Sequence, residues 1–227
     1  MNAMETDSLG LPLPERVEAR LRAAIPLSPY GDPSQDLVAA ASAHLCFAPG
    51  AKRFRPLVVE RLGHLFDVRG EALESVAVAA ELIHASSLLH DDVVDRSDER
   101  RGRPTANRRW GNAAAVLAGD WLLTRAFAAL EQLPVALTHS AMSTVARMSA
   151  SAIIEVEARG KVLNYDRWRR MAEGKTGVLF SWAGASLVRL GGGDETEATA
   201  AAERFGLSLG VAFQLGDDLR DFIDIHS

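Results

Sequence analysis

Two dense groups of aspartates are the residues in this chain whose type and spacing could bind a metal ion. Asp91, Asp92 and Asp95 directly follow an apolar run, which predicts that they lie near the end of a helix. On a helix, Asp91 and Asp95 share one face, where like charges repel unless a cation lies between them. A single cluster is as typical of a solvated helix end as of a metal site. A second cluster with the same spacing favours two sites for a hard cation such as Mg²⁺; its members are Asp217, Asp218 and Asp221.

Three basic segments accompany the acidic clusters. Magnesium held by protein carboxylates usually also binds a substrate phosphate, so cationic side chains are expected near such a site. Basic loops alone are typical of solvated surface, but three of them in a chain with two acidic clusters favour a diphosphate site. The segments are Gly50–Pro56 with Lys52, Arg53 and Arg55, then Arg100 to Arg103, then Lys175 and Thr176.

Composition limits the class of protein. Hydrophobic residues make up 48% and charged residues 24% of 227 residues, which predicts a packed core. The net charge of −5 argues against a nucleic-acid surface. The single cysteine, Cys46, lies in an apolar segment, which predicts a buried, inert thiol and is compatible with a reducing compartment. No signal peptide and no uninterrupted apolar run of about 18–20 residues is evident, so we expect a cytoplasmic protein without a transmembrane segment.

Nearly every segment has the alanine- and leucine-rich pattern of a helix, so we predict an all-α fold. We expect one domain over residues 1–227, with residues 1–12 flexible and residues 96–105 forming a loop. The simplest arrangement is a bundle in which two helices bearing aspartates face each other across an apolar cavity. The predicted helices cover about 14–25, 33–47, 56–66, 71–95, 112–130, 134–159, 166–174 and 175–190, with a last helix from about Glu195.

The ordered set of motifs resembles the trans-type isoprenyl diphosphate synthases, or polyprenyl synthetases, and most closely their long-chain members. The resemblance covers about Gly50 to Asp221 and implies their helical bundle. One Asp-Asp-x-x-Asp motif is weak evidence, but the set in this order is very specific. The motifs are Gly50-Ala-Lys-Arg-Phe-Arg-Pro56, the run from Glu81 through His84 to Asp95, Arg100-Arg101-Gly102, Gly174-Lys175-Thr176, and Phe213-Gln214-Leu-Gly-Asp217-Asp218-Leu-Arg-Asp221.

The resemblance also implies a role for each matching residue. The reaction joins isopentenyl diphosphate to an allylic prenyl diphosphate, usually in a homodimer, with three Mg²⁺ ions on the allylic diphosphate. Asp91, Asp95 and Asp217 would bind magnesium, with Asp92, Asp218 and Asp221 in support. The allylic substrate would be held by Arg100, Lys175, Thr176 and Gln214. Isopentenyl diphosphate would be held by Lys52, Arg55, His84 and Arg101. His84 also has a structural interpretation, as a lone histidine on an apolar helix. His90 is interpreted as either structural or a support for the metal-binding aspartates, and Glu155, Glu157 and the tryptophans as surface or packing positions.

The resemblance places product-length control one turn before Asp91. Family members with short products have a bulky aromatic residue at Ser86 or Ser87, whereas both are small here. We therefore expect a product of about twenty carbons or more, unless another helix closes the tunnel more deeply.

The sequence departs from the family pattern after the second acidic cluster. Members normally continue through further helices and a basic stretch, and these do not follow Asp221 in this sequence. We therefore expect the isolated chain to be weakly active or inactive. Two alternatives stay open. The first is a regulatory subunit that binds prenyl diphosphate or a full-length synthase without turnover. The second is a terpene cyclase, although Lys52, Arg55 and His84 argue against it because a cyclase needs no second diphosphate site.

Overall fold

The computed structural model describes residues 13–193 and 197–226, and of residues 221, 222 and 224–226 it describes the backbone. Residues 1–12, which the sequence predicts to be flexible, lie outside this range. The described chain divides into two compact units. The first contains residues 13–60 and 69–133, and the second contains residues 61–68 and the described residues from 134 onward. That residues 1–227 form one domain stays a prediction.

The described residues form ten α-helices, one π-helical turn and one short hairpin, which confirms the all-α prediction. Most helix ends fall close to a proline, which cannot continue a helix, or to a glycine, which weakens one. The predicted start of the last helix near Glu195 lies outside the described residues. In chain order the helices are α1 (Leu13–Ala24), α2 (Leu37–Cys46), α3 (Phe54–Leu65), α4 (Gly70–Val94), α5 (Ala106–Trp110), α6 (Asn112–Ala128), α7 (Val135–Ala158), α8 (Tyr165–Ala172), α9 (Val178–Leu190) and α10 (Glu197–His226).

The polar segment after α4 has more structure than the sequence predicts. The expected loop contains two antiparallel strands, β1 (Glu99–Arg100) and β2 (Arg103–Pro104), and α5 follows them. Arg101 and Gly102 close the hairpin with φ angles of 54° and 71°. Two central residues with positive φ are what a two-residue hairpin turn requires, because that geometry matches the twist of the strands. The hairpin therefore gives Arg100 and Arg101 defined positions.

Helix α4 is the core of the first unit. It packs against α1, α2, α5 and α6, and its residues 75–83 are all buried. Among the described residues it is also the one helix that by length and composition could cross a membrane, so the expected lack of a transmembrane segment stays a prediction. Because 72% of its most apolar window is buried inside the protein, and core helices meet the same criteria, this is weak evidence for a membrane span.

Helix α9 is the core of the second unit. Its residues 178–188 are all buried, and it packs against α7 and α10. Helix α10 approaches α9 closely because Gly206 has no side chain: a Cβ atom there would lie 2.2 Å from the backbone nitrogen of Ser181. The close approach fixes the position of α10, which carries the second acidic cluster.

Candidate active site

The first acidic cluster lies at the end of α4. Asp91 is half-buried in the last turn, and Asp95 is the exposed C-cap residue, whose N–H donates to the Asp91 carbonyl oxygen at 2.7 Å. Asp92 faces the protein interior and is 1% exposed. Its Oδ1 accepts hydrogen bonds from Arg100 Nε at 2.9 Å and Nη2 at 2.8 Å. Solvent therefore reaches Asp91 and Asp95, whereas Asp92 orients the Arg100 guanidinium.

His84 lies on α4, two turns before this cluster, among arginines. Burial holds the pKa of the His84 imidazole well below its usual value, and the nearby charges of Arg55, Arg101, Arg100 and Arg53 lower that pKa further. Burial and the charge of Arg100 likewise lower the pKa of Arg101. An anion would relieve the repulsion between these cations. The first unit thus combines an acidic helix end with a group of arginines around a neutral histidine.

Arg53 has a structural role that the sequence does not reveal. Its Nη1 lies 2.8 Å from Glu81 Oε1 and its Nη2 lies 2.6 Å from Glu18 Oε2, with all three side chains mostly shielded from solvent. The neighbouring Lys52, by contrast, is exposed. The sequence signal that could have revealed this role is Glu81 within the apolar α4 sequence, because a buried carboxylate needs a cationic partner. Burial, followed by the charge of Glu81, raises the pKa of the Cys46 thiol to about 12, which agrees with the predicted inert cysteine.

The depressed pKa of His84 makes stability depend on pH. An unfolded histidine has a pKa of about 6.5, so above that pH the imidazole is neutral in both states and contributes no pH dependence. As the pH falls below about 6.5, the unfolded chain binds a proton that the folded chain does not, and the free energy of unfolding decreases by at most about 1.4 kcal/mol per pH unit. We expect His84→Asn to flatten this slope between about pH 6.5 and pH 5 in urea unfolding. The exposed His139 supplies the control, His139→Asn. Equal slopes for wild type and His84→Asn would contradict the prediction.

His90 connects the end of α4 to α6. Its Nε2 lies 3.2 Å from the Val116 carbonyl oxygen and 3.3 Å from Asp120 Oδ1. The two helices come this close because Gly119 has no side chain; a Cβ atom there would lie 2.3 Å from His90 Nε2. These contacts give His90 a structural role.

The two serines predicted to control product length have different surroundings. Ser86 is 1% exposed inside the first unit. Ser87 is half-buried, and its hydroxyl donates to the His84 carbonyl oxygen at 2.8 Å. A larger side chain would therefore meet less densely packed surroundings at Ser87 than at Ser86.

In the second unit, Lys175 and Thr176 lie in a π-helical turn, Glu173–Gly177, where the sequence predicts a break between two helices. Turns of this kind are frequent at functional sites. Glycines let the turn fit closely between two helices. A Cβ atom on Gly174 would lie 1.8 Å from Ser151 Oγ of α7, and one on Gly210 of α10 would lie 2.2 Å from the Gly177 Cα atom.

Lys175 has a partner that sequence reasoning missed. Its Nζ donates to Glu155 Oε2 of α7 at 2.5 Å, although Glu155 is predicted from the sequence to be a surface position. The side chains of Lys175 and Glu155 are 23% and 39% exposed. A partly exposed ion pair of this kind contributes little to stability, so an incoming anion can replace the carboxylate at modest cost.

The second acidic cluster lies on α10. Asp217 Oδ1 is 3.4 Å from Arg220 Nη1, and its side chain is 41% exposed. The neighbouring Asp218 is exposed as well. The backbone of Asp221 is helical, and its side chain lies outside the described residues.

Asp218 belongs to a hydrogen-bond chain across three elements of the second unit. Its Oδ2 accepts from Trp168 Nε1 on α8, and its Oδ1 accepts from Gln214 Nε2, each at 2.8 Å. Gln214 Oε1 in turn accepts from Thr176 Oγ1 at 3.3 Å. The structure thus brings Thr176, Gln214 and Asp218 together. It adds Trp168, which is predicted from the sequence to be a surface or packing residue.

The donor sets fit a cation that arrives with a phosphate ligand. The described residues contain no group of three His, Cys, Asp or Glu side chains that could hold a metal ion alone. Magnesium does not need such a group, because it keeps several waters and takes one or two carboxylates together with substrate phosphates. Asp91 and Asp95 in the first unit, and Asp217 in the second, supply carboxylate oxygens of the kind that hard cations prefer.

The chain is similar in sequence to two known prenyl diphosphate synthases. The chain is 38% identical over 175 residues to the octaprenyl diphosphate synthase of Haemophilus influenzae, covering 76% of this chain and 53% of that protein. It is 36% identical over 188 residues to the farnesyl diphosphate synthase of Escherichia coli, covering 77% of this chain and 62% of that protein. The chain thus spans between about half and three fifths of the length of these relatives.

The fold and the family profile agree with these matches. The polyprenyl synthase from Caulobacter crescentus CB15, solved in complex with calcium and isoprenyl diphosphate, has a TM-score of 0.79 and 31% identity, covering 91% of this chain and 62% of that one. The profile of the polyprenyl synthetase family matches residues 35–226, most of the sequence. The chain therefore belongs to the polyprenyl synthetase family.

Proposed function

We propose that this chain is a trans-prenyltransferase that joins isopentenyl diphosphate to an allylic prenyl diphosphate. The observation that carries the proposal is the position of His84 near Arg55, Arg100 and Arg101, on the helix that also bears Asp91 and Asp95. Arginines grouped in this way are suited to a polyanionic substrate. Family membership supports the same reaction, since relatives named for octaprenyl and farnesyl products match three quarters of this chain.

The group of basic side chains around His84 in the first unit is assigned to isopentenyl diphosphate. A neutral His84 can donate one hydrogen bond to a phosphate oxygen and accept another, while the guanidinium groups of Arg55 and Arg101 supply paired charged donors. Lys52 is exposed, and its flexible side chain can reach a bound phosphate as a point charge. The proposed set for this substrate is Lys52, Arg55, His84 and Arg101.

The allylic diphosphate is assigned to residues of both acidic clusters and their basic neighbours. Magnesium held there by Asp91, Asp95 and Asp217 would offset the charge of the departing diphosphate. We propose three magnesium ions, the number that the resemblance to the family implies. Calcium in the Caulobacter polyprenyl synthase supports a divalent cation, and the carboxylate donors favour magnesium. The proposed set for the diphosphate itself is Arg100, Lys175, Thr176 and Gln214.

The chemistry needs positioning and electrostatic stabilisation more than a dedicated base. The carbon–oxygen bond to the allylic diphosphate breaks, and the double bond of isopentenyl diphosphate attacks that allylic carbon to form a carbon–carbon bond. A proton is then lost, and the departed diphosphate can accept it. Arg100 and Lys175 stabilise the charge that develops on the leaving group. Holding two substrates together replaces a bimolecular collision by an intramolecular step, which lowers the barrier by several kcal/mol.

The direct test is product analysis. Purified chain is incubated with magnesium, labelled isopentenyl diphosphate and each of several allylic primers, and the products are separated by reversed-phase chromatography. We expect labelled prenyl diphosphates that require both substrates and form at a low rate, in keeping with the weak activity expected of this chain. We expect Asp91→Asn and Asp217→Asn to lower the rate at least about 100-fold, the usual cost of removing a preorganised electrostatic group.

Two results would contradict the proposal. Tight binding of a non-hydrolysable allylic analogue with no turnover would indicate a binding subunit instead. Product formed without isopentenyl diphosphate would indicate a cyclase.

Product length is proposed to be about twenty carbons or more, because Ser86 and Ser87 are small. We expect Ser87→Phe to shorten the main product, since the new ring would occupy space one turn before Asp91. Ser86→Phe is a poorer test, because that site is 1% exposed and overpacking it costs about 1–3 kcal/mol. Chromatography of the products of Ser87→Phe and Ser87→Ala makes the comparison. The same product length from both variants would show that position 87 does not control product length.

We also propose a cytoplasmic homodimer. Helix α6 is rich in alanine, and its Val116 and Leu117 are 37% and 57% exposed, which suits close packing against a second copy. Light scattering coupled to size-exclusion chromatography measures the mass directly, and a monomeric mass would contradict the dimer.

A further inference from the structure

Trp168 occupies an unusual position for a large aromatic side chain. Helix α8 has eight residues and is otherwise rich in charge, with Asp166, Arg167, Arg169 and Arg170. Trp168 is half-buried, and its indole N–H donates to Asp218 Oδ2 at 2.8 Å. The indole N–H can only donate a hydrogen bond, so the Asp218 carboxylate is the acceptor in this contact.

Both oxygens of Asp218 are engaged in this arrangement. Gln214 Nε2 donates to Oδ1 at 2.8 Å, one helical turn earlier on α10. An exposed aspartate without partners samples several rotamers, whereas two hydrogen bonds to a charged acceptor restrict it to one. The amide of Gln214 is oriented as well: its NH₂ faces Asp218, so its oxygen is left to accept from Thr176 Oγ1 at 3.3 Å.

The Trp168 ring is itself held in place. Tyr165 stacks on it, with 6.1 Å between ring centroids and an interplanar angle of 30°. The start of α8 is fixed by Asn164, whose side chain accepts from the Arg167 N–H at 2.9 Å. Helix α8 continues directly into the π-helical turn that carries Lys175. The indole therefore belongs to the same continuous helical segment as Lys175 and Thr176, two of the residues assigned to the allylic diphosphate.

We infer that Trp168 is a positioning residue of the second acidic cluster. It acts through Asp218 and Gln214, so that Gln214 and Thr176 present their polar groups in one fixed arrangement to a magnesium-bound diphosphate. The inference rests on the proposed function, since that function assigns the diphosphate to these residues. Residues that orient metal or phosphate ligands typically change affinity by 10- to 100-fold when they are removed.

The test uses inorganic pyrophosphate as the probe, because it is the group that all prenyl diphosphates share. Binding to the full chain is measured by isothermal titration calorimetry at several magnesium concentrations. Trp168→Phe keeps an aromatic ring and removes the donor. We expect it to weaken magnesium-dependent pyrophosphate binding about 10-fold or more, with little change in binding without magnesium and in the thermal unfolding midpoint.

Two further variants separate positioning from general damage. Trp168→His keeps an N–H at the place of the indole nitrogen and removes the larger ring, so we expect its affinity to lie closer to wild type than that of Trp168→Phe. Trp121→Phe is the matched control, because Trp121 is also half-buried but lies in the first unit. This substitution likewise removes one hydrogen bond, from the Trp121 indole N–H to Tyr30 Oη at 3.1 Å. We expect wild-type pyrophosphate binding from Trp121→Phe.

The outcomes distinguish this inference from the function on which it rests. Wild-type affinity in Trp168→Phe, or an equal loss in Trp168→Phe and Trp121→Phe, overturns the role of Trp168 and leaves the proposed function intact. A wild-type chain that binds no magnesium pyrophosphate overturns both. A lowered affinity in Trp168→Phe that Trp168→His restores supports positioning through the N–H group.

Discussion

Gly210→Ala is expected to destabilise the chain by about 3 kcal/mol or more and to disrupt the Lys175 and Thr176 turn. The added Cβ atom would lie 2.2 Å from the Gly177 Cα atom and 2.4 Å from the Gly177 nitrogen. Both are backbone atoms, so no side chain can rotate away, and α10 has to move off the π-helical turn. That movement also separates Gln214 from Thr176, whose hydrogen bond is already 3.3 Å long.

The same helix offers a matched control. Gly216 also lies within α10, and a Cβ atom there would meet nothing within 4 Å. Gly216→Ala should be neutral or stabilising by up to about 1 kcal/mol, because alanine has the higher helix propensity. Urea unfolding followed by circular dichroism measures both variants. Equal stability of Gly210→Ala and Gly216→Ala would mean that the close contact between α10 and the turn does not exist.

Arg53→Met is expected to cost about 3–5 kcal/mol, because it leaves the shielded Glu81 carboxylate without its cation and leaves Glu18 with only an exposed partner, Arg22. Arg53 binds Glu18 and Glu81 at 2.6 and 2.8 Å, and the side chains of Arg53 and Glu81 are only 12% and 10% exposed. Glu81 lies one turn before His84, so we also expect weaker binding of isopentenyl diphosphate.

A second arginine on the same glutamate provides the comparison. Arg22 contacts Glu18 at 2.7 Å, but its side chain is 61% exposed. Exposed pairs contribute at most about 1 kcal/mol, so Arg22→Met should have a small effect. Chemical unfolding of the two variants under identical conditions compares them. A loss from Arg53→Met as small as that from Arg22→Met would show that solvent screens the Arg53 pairs.

Much of the helical framework could be predicted because its signals are local. Prolines and glycines limit helix ends, and the apolar run before Asp91 predicts a buried helix that ends in carboxylates. The same locality explains the errors. A two-residue turn at Arg101 and Gly102 looks like any polar loop, and the π-helical turn at Glu173–Gly177 depends on glycines that lie against α7 and α10.

The sequence alone determined which residue types are present to do chemistry: two aspartate clusters, three basic segments, and the order that identifies their family. Only the tertiary structure decided how neighbours with the same charge differ. Asp92 is buried against Arg100 while Asp91 and Asp95 meet solvent, and Arg53 pairs with Glu18 and Glu81 while Arg55 lies near His84. It also decided that Trp168 holds Asp218. The physical reason is that burial and hydrogen-bond partners depend on distant segments, and these determine what a charged side chain does.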